Sequence, residues 1–552
     1  MPDDGRPSFD LTSERWLPVR YRNGSKADLS LRQIFAEARE VRCLMGDVPT
    51  QEFALIRLLL AILHDALQGP ADLQEWQELW DHGLPGDRIE DYLQCHRDHF
   101  DLLHPQRPFF QTPDLRAASG EVSSLDRLVA DVPNGARFFT MRARGATRLT
   151  YGEAARWLVH AHAFDTSGIK TGAVGDPRAK GGRGYPQGVA WTGNLGGVMA
   201  EGESLHETLL LNLIAFDTPN LHAEPQHDLP AWRRPPTGPQ AIDQADMADR
   251  PAGPRDLYTW QSRRIRLHAD TEGVTSVILA YGDPLSPRNM HLHEPMTSWR
   301  RSPEQEKKLA MAQVYLPREH DPDRSAWRGL GALVAGRVGG AEQRREAAAI
   351  VRPRILDWVA RMTVEGDLPA DFLIRARLFG QVYGTQQSVV DEIVNDAVAM
   401  PVILLHEQDQ GLGQTAIDAA ADADHAVALI GDLAADLARA AGTAADGPKG
   451  KARLAGYAAL DGPFRNWLAA LRPDDNPHEQ RATWQLKAHR IISAVGDDLL
   501  RSAPDAAWQG RVITTRQGTE LWLTASRADL TCRTGLNRAL PLASAPTTGA
   551  PA

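Results

Sequence analysis

The chain has 552 residues, of which 42% are hydrophobic and 24% charged, and a net charge of −10. This balance excludes a disordered or fibrous chain and allows two to four domains; it also argues against indiscriminate nucleic-acid binding, although a local basic patch suffices for a binding surface. Three scattered cysteines, Cys43, Cys95 and Cys532, fit a reducing compartment rather than a disulfide framework, and the most apolar run, 53–63, carries Arg57 and is too short to span a bilayer, so a cytoplasmic protein without a membrane partner is expected.

In chain order, residues 16–21 read as a strand, Asn23 and Gly24 as a turn, and Ser30 as the cap of a helix. Apolar residues at helical spacing predict helices over 50–67 and 71–82. From 105 to 202 periodicity fades, apart from a helix at 151–163, and two long irregular segments remain, 134–148 and 164–188. In ESLHETLLLNLIAF, Ser204 and Glu207 have the S-x-x-E spacing of a capping box ahead of an apolar run. Residues 222–255, rich in Pro, Asp and Gln, read as a surface excursion, and 263–281 as two strands about Glu272 and Gly273. Beyond 400, the amphipathic segments 415–441, 451–471, 479–502 and 520–539 read as a four-helix bundle. The expected fold class is therefore α+β: a large mixed domain at 1–400, a four-helix bundle at 401–540 and a disordered tail at 541–552.

The densest chemical signal is FDTSGIKTGAVGDPRAKGGRGYPQG at 164–188. Gly168, Gly172, Gly175, Gly181 and Gly182 leave backbone N–H groups bare, and Lys170, Arg178, Lys180 and Arg183 outnumber Asp165 and Asp176. A flexible basic loop of this kind suits an anionic ligand, phosphate first among them. Catalytic motifs are weaker. Cys95, His96, His99 and His104, like His291 and His293, match no closed zinc spacing, so neither metal nor cofactor is expected. His206-Glu207 lacks a second histidine, because Leu210 occupies its place. GIKT at 168–171 and GPKGK at 447–451 fall short of a phosphate-binding P-loop, and GNLGG at 193–197 is a mis-spaced dinucleotide fragment. His64-Asp65 leaves an HD-type metal-dependent phosphohydrolase as the rival reading. No triad stands out, so a binder rather than an enzyme is expected.

Four stretches in order, FDLTSERWLPVRYRNG, DLLHPQRPFFQT, the glycine stretch leading into GESLHETLLLNLI, and FGQVYGTQQSVVDE, resemble the CasA (Cse) large-subunit family of Cascade, the type I-E CRISPR surveillance complex. The resemblance implies a non-enzymatic subunit in antiviral defence. It would read the protospacer-adjacent motif (PAM) in foreign double-stranded DNA, start strand separation for R-loop formation and help recruit the effector helicase-nuclease. Its partners would be the other Cascade subunits and the 5′ end of the guide RNA. The glycine stretch would approach the minor groove, whose narrow floor admits bare backbone where side chains clash.

The same resemblance places a strand-separating wedge on Gln387 beside Gln386, with a helix N-terminus capped by Thr385 as the alternative. It places a basic pair at Arg300 and Arg301, which read equally as solvated charges. The family's minor-groove lysine has no counterpart between Lys180 and Lys307, which leaves Arg288 in its place. Family members with clustered cysteines look like zinc binders, whereas HADTEGVTSV here has none. The segment 134–148 would dock to guide RNA and a neighbouring subunit through Phe138, Phe139, Thr140, Met141, Arg142 and Arg144, a buried Phe pair being the alternative.

Overall fold

The computed structural model describes residues 7–130, 145–219, 221–334, 349–369, 371–406, 410–514 and 518–544. It is α+β, and the chain divides into two compact units: one of residues 1–323, 338–362 and 375–397, the other of 324–337, 363–374 and 398–552. The second unit thus takes in two short segments from before residue 400.

The first unit opens with strands Leu17–Tyr21 and Lys26–Leu29 turning at Gly24, where φ is +88°, and continues into a helix whose Ser30 cap and Gln33 side chain satisfy each other's backbone N–H groups. Strand Val41–Leu44 pairs on the other side of Leu17–Tyr21. Helix Pro49–Leu67 is buried on all faces, which explains why apolar residues surround it on every side. Its one cation, Arg57, forms a fully buried two-pronged pair with Glu294 at 2.8 Å on each arm. Strands Arg263–Asp270 and Gly273–Tyr281 pair antiparallel as expected. A further sheet runs in the order Val390–Pro401, Leu373–Tyr383, Gly197–Glu201.

Two expectations are refined. At helix Leu205–Asn212, Ser204 accepts from the Glu207 N–H, but the Glu207 carboxylate returns to the N–H of Glu203 rather than to that of the cap. Residues 222–255 run largely exposed, as expected, but are anchored from within: Asp228 and Arg255 are wholly buried and Trp232 is 5% exposed. These charges face inward because Asp228 accepts from the backbone N–H groups of Arg255 and Asp256, and Arg255 reaches Asp228 and Asp65.

In the second unit, helices Gln410–Ala441, Asp446–Ala470, Pro477–Arg501 and Ala525–Ala539 supply the four long helices. The Trp484 indole donates to the carbonyl of Ala419, and Phe464 meets Trp484 edge-on at 4.9 Å. The expected last segment began too early: Glu520–Leu523 is a strand paired with Arg511–Thr514, and the helix starts after a Thr524 cap. Residues 541–544 form a 3₁₀ turn, and the rest of the expected tail lies outside the described residues. Among the described residues no helix is long and apolar enough to cross a membrane.

Candidate nucleic-acid interface

The glycine stretch is a hydrogen-bonded hairpin, where the sequence had suggested a loose loop. Lys170–Thr171 pairs with Arg183–Gly184, and the Gly172 N–H donates to the Gly182 carbonyl at 3.0 Å. A Cβ on Gly172 would lie 2.6 Å from the Gly182 carbonyl carbon, so the two arms approach backbone to backbone and only glycine fits. Beneath them Ala173 packs in a small core with Leu115, Ala117, Ile278 and Ala280. Arg178 fastens the loop from within, bonding Asp176 and the carbonyls of Tyr281 and Gly282 at 2.9 and 2.8 Å. Gly175 has φ +89° and faces Pro239. At the tip, Gly181 and Gly182 have φ +58° and +74°, and Gly181 opens onto free space.

The basic residues of this segment divide into two kinds. Lys170 is 7% exposed, and its ammonium bonds Asp165 at 2.8 Å, so it points into the protein and not toward a ligand. Burial alone would raise the Asp165 pKa, but the charges of Lys170 and Arg263 outweigh it and hold the carboxyl below its ordinary value. Burial likewise presses Lys170 downward from the usual ammonium range. Lys180 and Arg183, by contrast, are exposed beside the tip.

Gln386 and Gln387 lie in the turn joining strands Leu373–Tyr383 and Val390–Pro401. The turn is a 3₁₀ segment, Thr385–Gln387, without a side-chain cap, so the helix N-terminus alternative does not hold. Both glutamines have φ +55° and both are exposed. Left-handed backbone costs a non-glycine residue about 1 kcal/mol, and two in succession throw both side chains outward from the end of the hairpin. Gly384 leaves room behind them for the Asp391 carboxylate, which lies 2.3 Å from where a Cβ would stand.

The two features touch. The Ser167 N–H donates to the Gln387 carbonyl at 2.8 Å, and the Cβ position of Gly168 lies 3.3 Å from that of Ser388. Gly168, with φ +108°, accepts from the Tyr281 hydroxyl at 2.6 Å through its own carbonyl. Ser167, Tyr281, Gly384 and Ser388 carried no sequence signal of a role here; the positive φ of Gly168 was at least permitted by its being glycine.

The remaining candidates sit on other elements. Arg288 is exposed, with its Nε on the Ser286 hydroxyl. Arg300 is exposed on the middle strand of a three-stranded sheet, while Arg301 is committed to Glu306 at 2.6 and 3.0 Å. The bond from Arg301 also holds the Glu306 pKa below its usual value. Phe138, Phe139, Thr140, Met141, Arg142 and Arg144 lie outside the described residues.

The HD pair is occupied structurally. The His64 Nδ1 lies 3.0 Å from the Gly69 carbonyl, and Asp65 accepts from Tyr92, Arg233 and Arg255 at 2.6, 2.8 and 3.0 Å. A buried carboxylate held by two guanidiniums and a phenol is already paired within the protein, and the described residues contain no metal-binding cluster.

A family model described as CRISPR-associated protein Cse1 matches residues 10–495. Among solved structures, that of Thermobifida fusca Cse1 is 62% identical with a TM-score of 0.90, covering 98% of this chain and 99% of that one. Cse1 from Acidimicrobium ferrooxidans is 30% identical with a TM-score of 0.80, covering 98% of each. A curated relative, CasA/Cse1 of Thermus thermophilus, is 29% identical over 405 residues, 72% of each chain.

Proposed function

The chain belongs to the CRISPR-associated Cse1 family, and from that premise we propose that it is the large, non-catalytic subunit of a type I-E Cascade surveillance complex that recognises the PAM and begins strand separation. The observation that carries this reading is the bond between Ser167 and Gln387, which sets an exposed glutamine turn directly against a glycine hairpin with a bare, positive-φ tip. A tip without side chains fits the floor of a minor groove, and Lys180 and Arg183 beside it match the flanking phosphates. A long uncharged side chain next to it is suited to filling the gap left by a displaced base pair and bonding the exposed edges. Lys170 and Arg301, already paired within the protein, drop out of the contact set, while Arg288 and Arg300 stay in it as exposed cations for the incoming duplex. Guide RNA, the other Cascade subunits and an effector helicase-nuclease are the partners on this reading, and the compartment is the cytoplasm. The committed state of Asp65 disfavours the phosphohydrolase alternative.

The test is Gly181→Asn in the guide-loaded complex. Gly181 has φ +58°, which asparagine tolerates and a β-branched residue does not, and open space around its Cβ position, so the added bulk falls on the approaching groove rather than on the hairpin's own backbone, unlike a change at Gly172. Affinity for PAM-bearing duplex should fall toward the level of non-specific duplex. Unchanged discrimination between the two duplexes would refute the reading.

A further inference from the structure

The segment 164–168 holds the glycine hairpin and the glutamine turn together from below. Phe164 ends helix Tyr151–Phe164, and its carbonyl accepts from the Tyr383 hydroxyl at 2.7 Å and from the Gln381 amide at 3.4 Å, both on the strand leading to the turn. Asp165 is clamped by Lys170 and Arg263, and Arg263 also reaches the carbonyls of Asp165, Thr166 and Gly188, at the far end of the glycine stretch. Ser167 then bonds Gln387. Within four consecutive residues, Phe164 and Ser167 therefore bond the glutamine turn and its strand, and Asp165 and Thr166 bond Lys170 of the hairpin.

Tyr383 has a seat made for it. A Cβ on Gly193 would fall 2.1 Å from the Tyr383 hydroxyl and 3.0 Å from the ring carbon that carries it, so glycine at 193 leaves the space the phenol occupies. This accounts for the GNLGG fragment that no nucleotide-binding role absorbs. Burial and the nearby Asp165 charge hold the phenol's pKa well above its usual value, so it remains a donor at neutral pH.

We propose that Tyr383 is a positioning residue that joins the glutamine turn to the recognition hairpin through Phe164, so that engagement of the hairpin by PAM-bearing duplex aims Gln387 at the adjacent base pair. The proposal rests on the reading above and adds a coupling to it. A turn with two left-handed glutamines is under local strain and needs an external strut to hold one orientation. The Phe164 carbonyl and the Ser167 N–H supply that strut at the two ends of the turn. The hydroxyl does not touch nucleic acid; it acts through the strand that bears Gln387.

Tyr383→Phe removes the hydroxyl and keeps the ring in its seat. Three readouts are compared in the guide-loaded complex: affinity for PAM-bearing duplex, rate of R-loop formation on that duplex, and the rate on a target pre-melted beside the PAM. The expected result is a duplex R-loop rate lower by about 2- to 10-fold, the scale of one hydrogen bond. PAM affinity should be retained, the pre-melted target should restore the rate, and Tyr383→Phe/Gln387→Ala should be no slower than Gln387→Ala alone. Equal slowing on both targets marks a merely structural role and overturns the proposal, as do a wild-type rate or effects that multiply in the double variant. If Gln387→Ala itself is not rescued by pre-melting, the wedge reading fails, and the coupling falls with it; if Gln387→Ala is rescued and Tyr383→Phe is inert, only the coupling falls.

Discussion

Residues 164–188 and 222–255 look alike as sequences, since both are aperiodic, rich in turn formers and strewn with charge, yet the first unit uses them in opposite ways. The glycine stretch is pinned at its base by Lys170, Asp165 and Arg178 and leaves Gly181, Lys180 and Arg183 outside. The second segment leaves Glu224, Asp243, Asp246 and Asp249 outside but turns its anchoring charges in: Asp228 and Arg255 are buried, Arg233 reaches Asp65, and the Trp232 indole donates to the Tyr92 hydroxyl at 2.6 Å. The contrast separates two meanings of charge in irregular chain. A buried and paired ion fixes a loop, and an exposed unpaired one beside bare backbone offers a surface.

The largest expected effect breaks this buried anchor. Arg255→Ala removes a guanidinium with no solvent exposure and leaves the buried Asp228 carboxylate without its charge partner, so stability should fall by about 3–5 kcal/mol. Burial already pushes the Asp228 pKa upward, which means that carboxylate will take a proton more readily once the arginine is gone. Thermal unfolding measures the loss; a melting temperature within a degree of the parent would show that the segment does not hold the unit together.

A smaller, pH-dependent loss should come from histidines packed around the same core. Burial depresses the pKa of His64 from 6.5 to about 4, of His160 to about 3 and of His162 to about 4. Above pH 6.5 all three are neutral in both states and contribute no pH dependence. As pH falls below that value the unfolded chain binds protons that the folded chain refuses, so stability declines down to about pH 4. Melting temperatures measured across that window should therefore decrease steadily, and His160→Gln, which keeps a polar partner for Thr50, should flatten part of the slope. An identical slope in that variant would remove His160 from the account.

Much of the scaffold was legible because its signals are local. Ser30 and Gln33, the turn at Gly24 and the strand pair about Gly273 depend on residues within a few positions of one another, and the structure has them where the pattern puts them. In the candidate site, the glycines and Gln387 that stand side by side in the structure were marked by the sequence pattern and the family resemblance, but which cations face outward was not. Lys170 and Lys180 stand ten residues apart with the same side chain. Only the arrival of Arg263, 98 residues from Asp165, marks the first as half of a buried knot. The fourth bundle segment misled for a related reason: Glu520, Leu521, Trp522 and Leu523 suit either a helix or a strand, and pairing with Arg511–Thr514 selects the strand.

The smallest expected effect is the finest test of the division between paired and offered charge. Arg183 is exposed on the short strand that closes the hairpin, so Arg183→Ala should leave the melting temperature unchanged. If it contacts a phosphate, the variant complex should bind duplexes with and without the PAM more weakly by a similar factor. The slope of log affinity against log salt should become shallower by about 1, because one fewer counterion is released on binding. Lys170→Met is the counterpart. It removes a charge of the same sign from the same hairpin, but one already bonded to Asp165 and shielded from solvent, so its cost should appear in the melting temperature while the salt slope stays as in the parent. A shallower slope for Lys170→Met, or none for Arg183→Ala, would mean that the hairpin reorganises on binding and that the distinction drawn from the unbound chain does not survive contact with DNA.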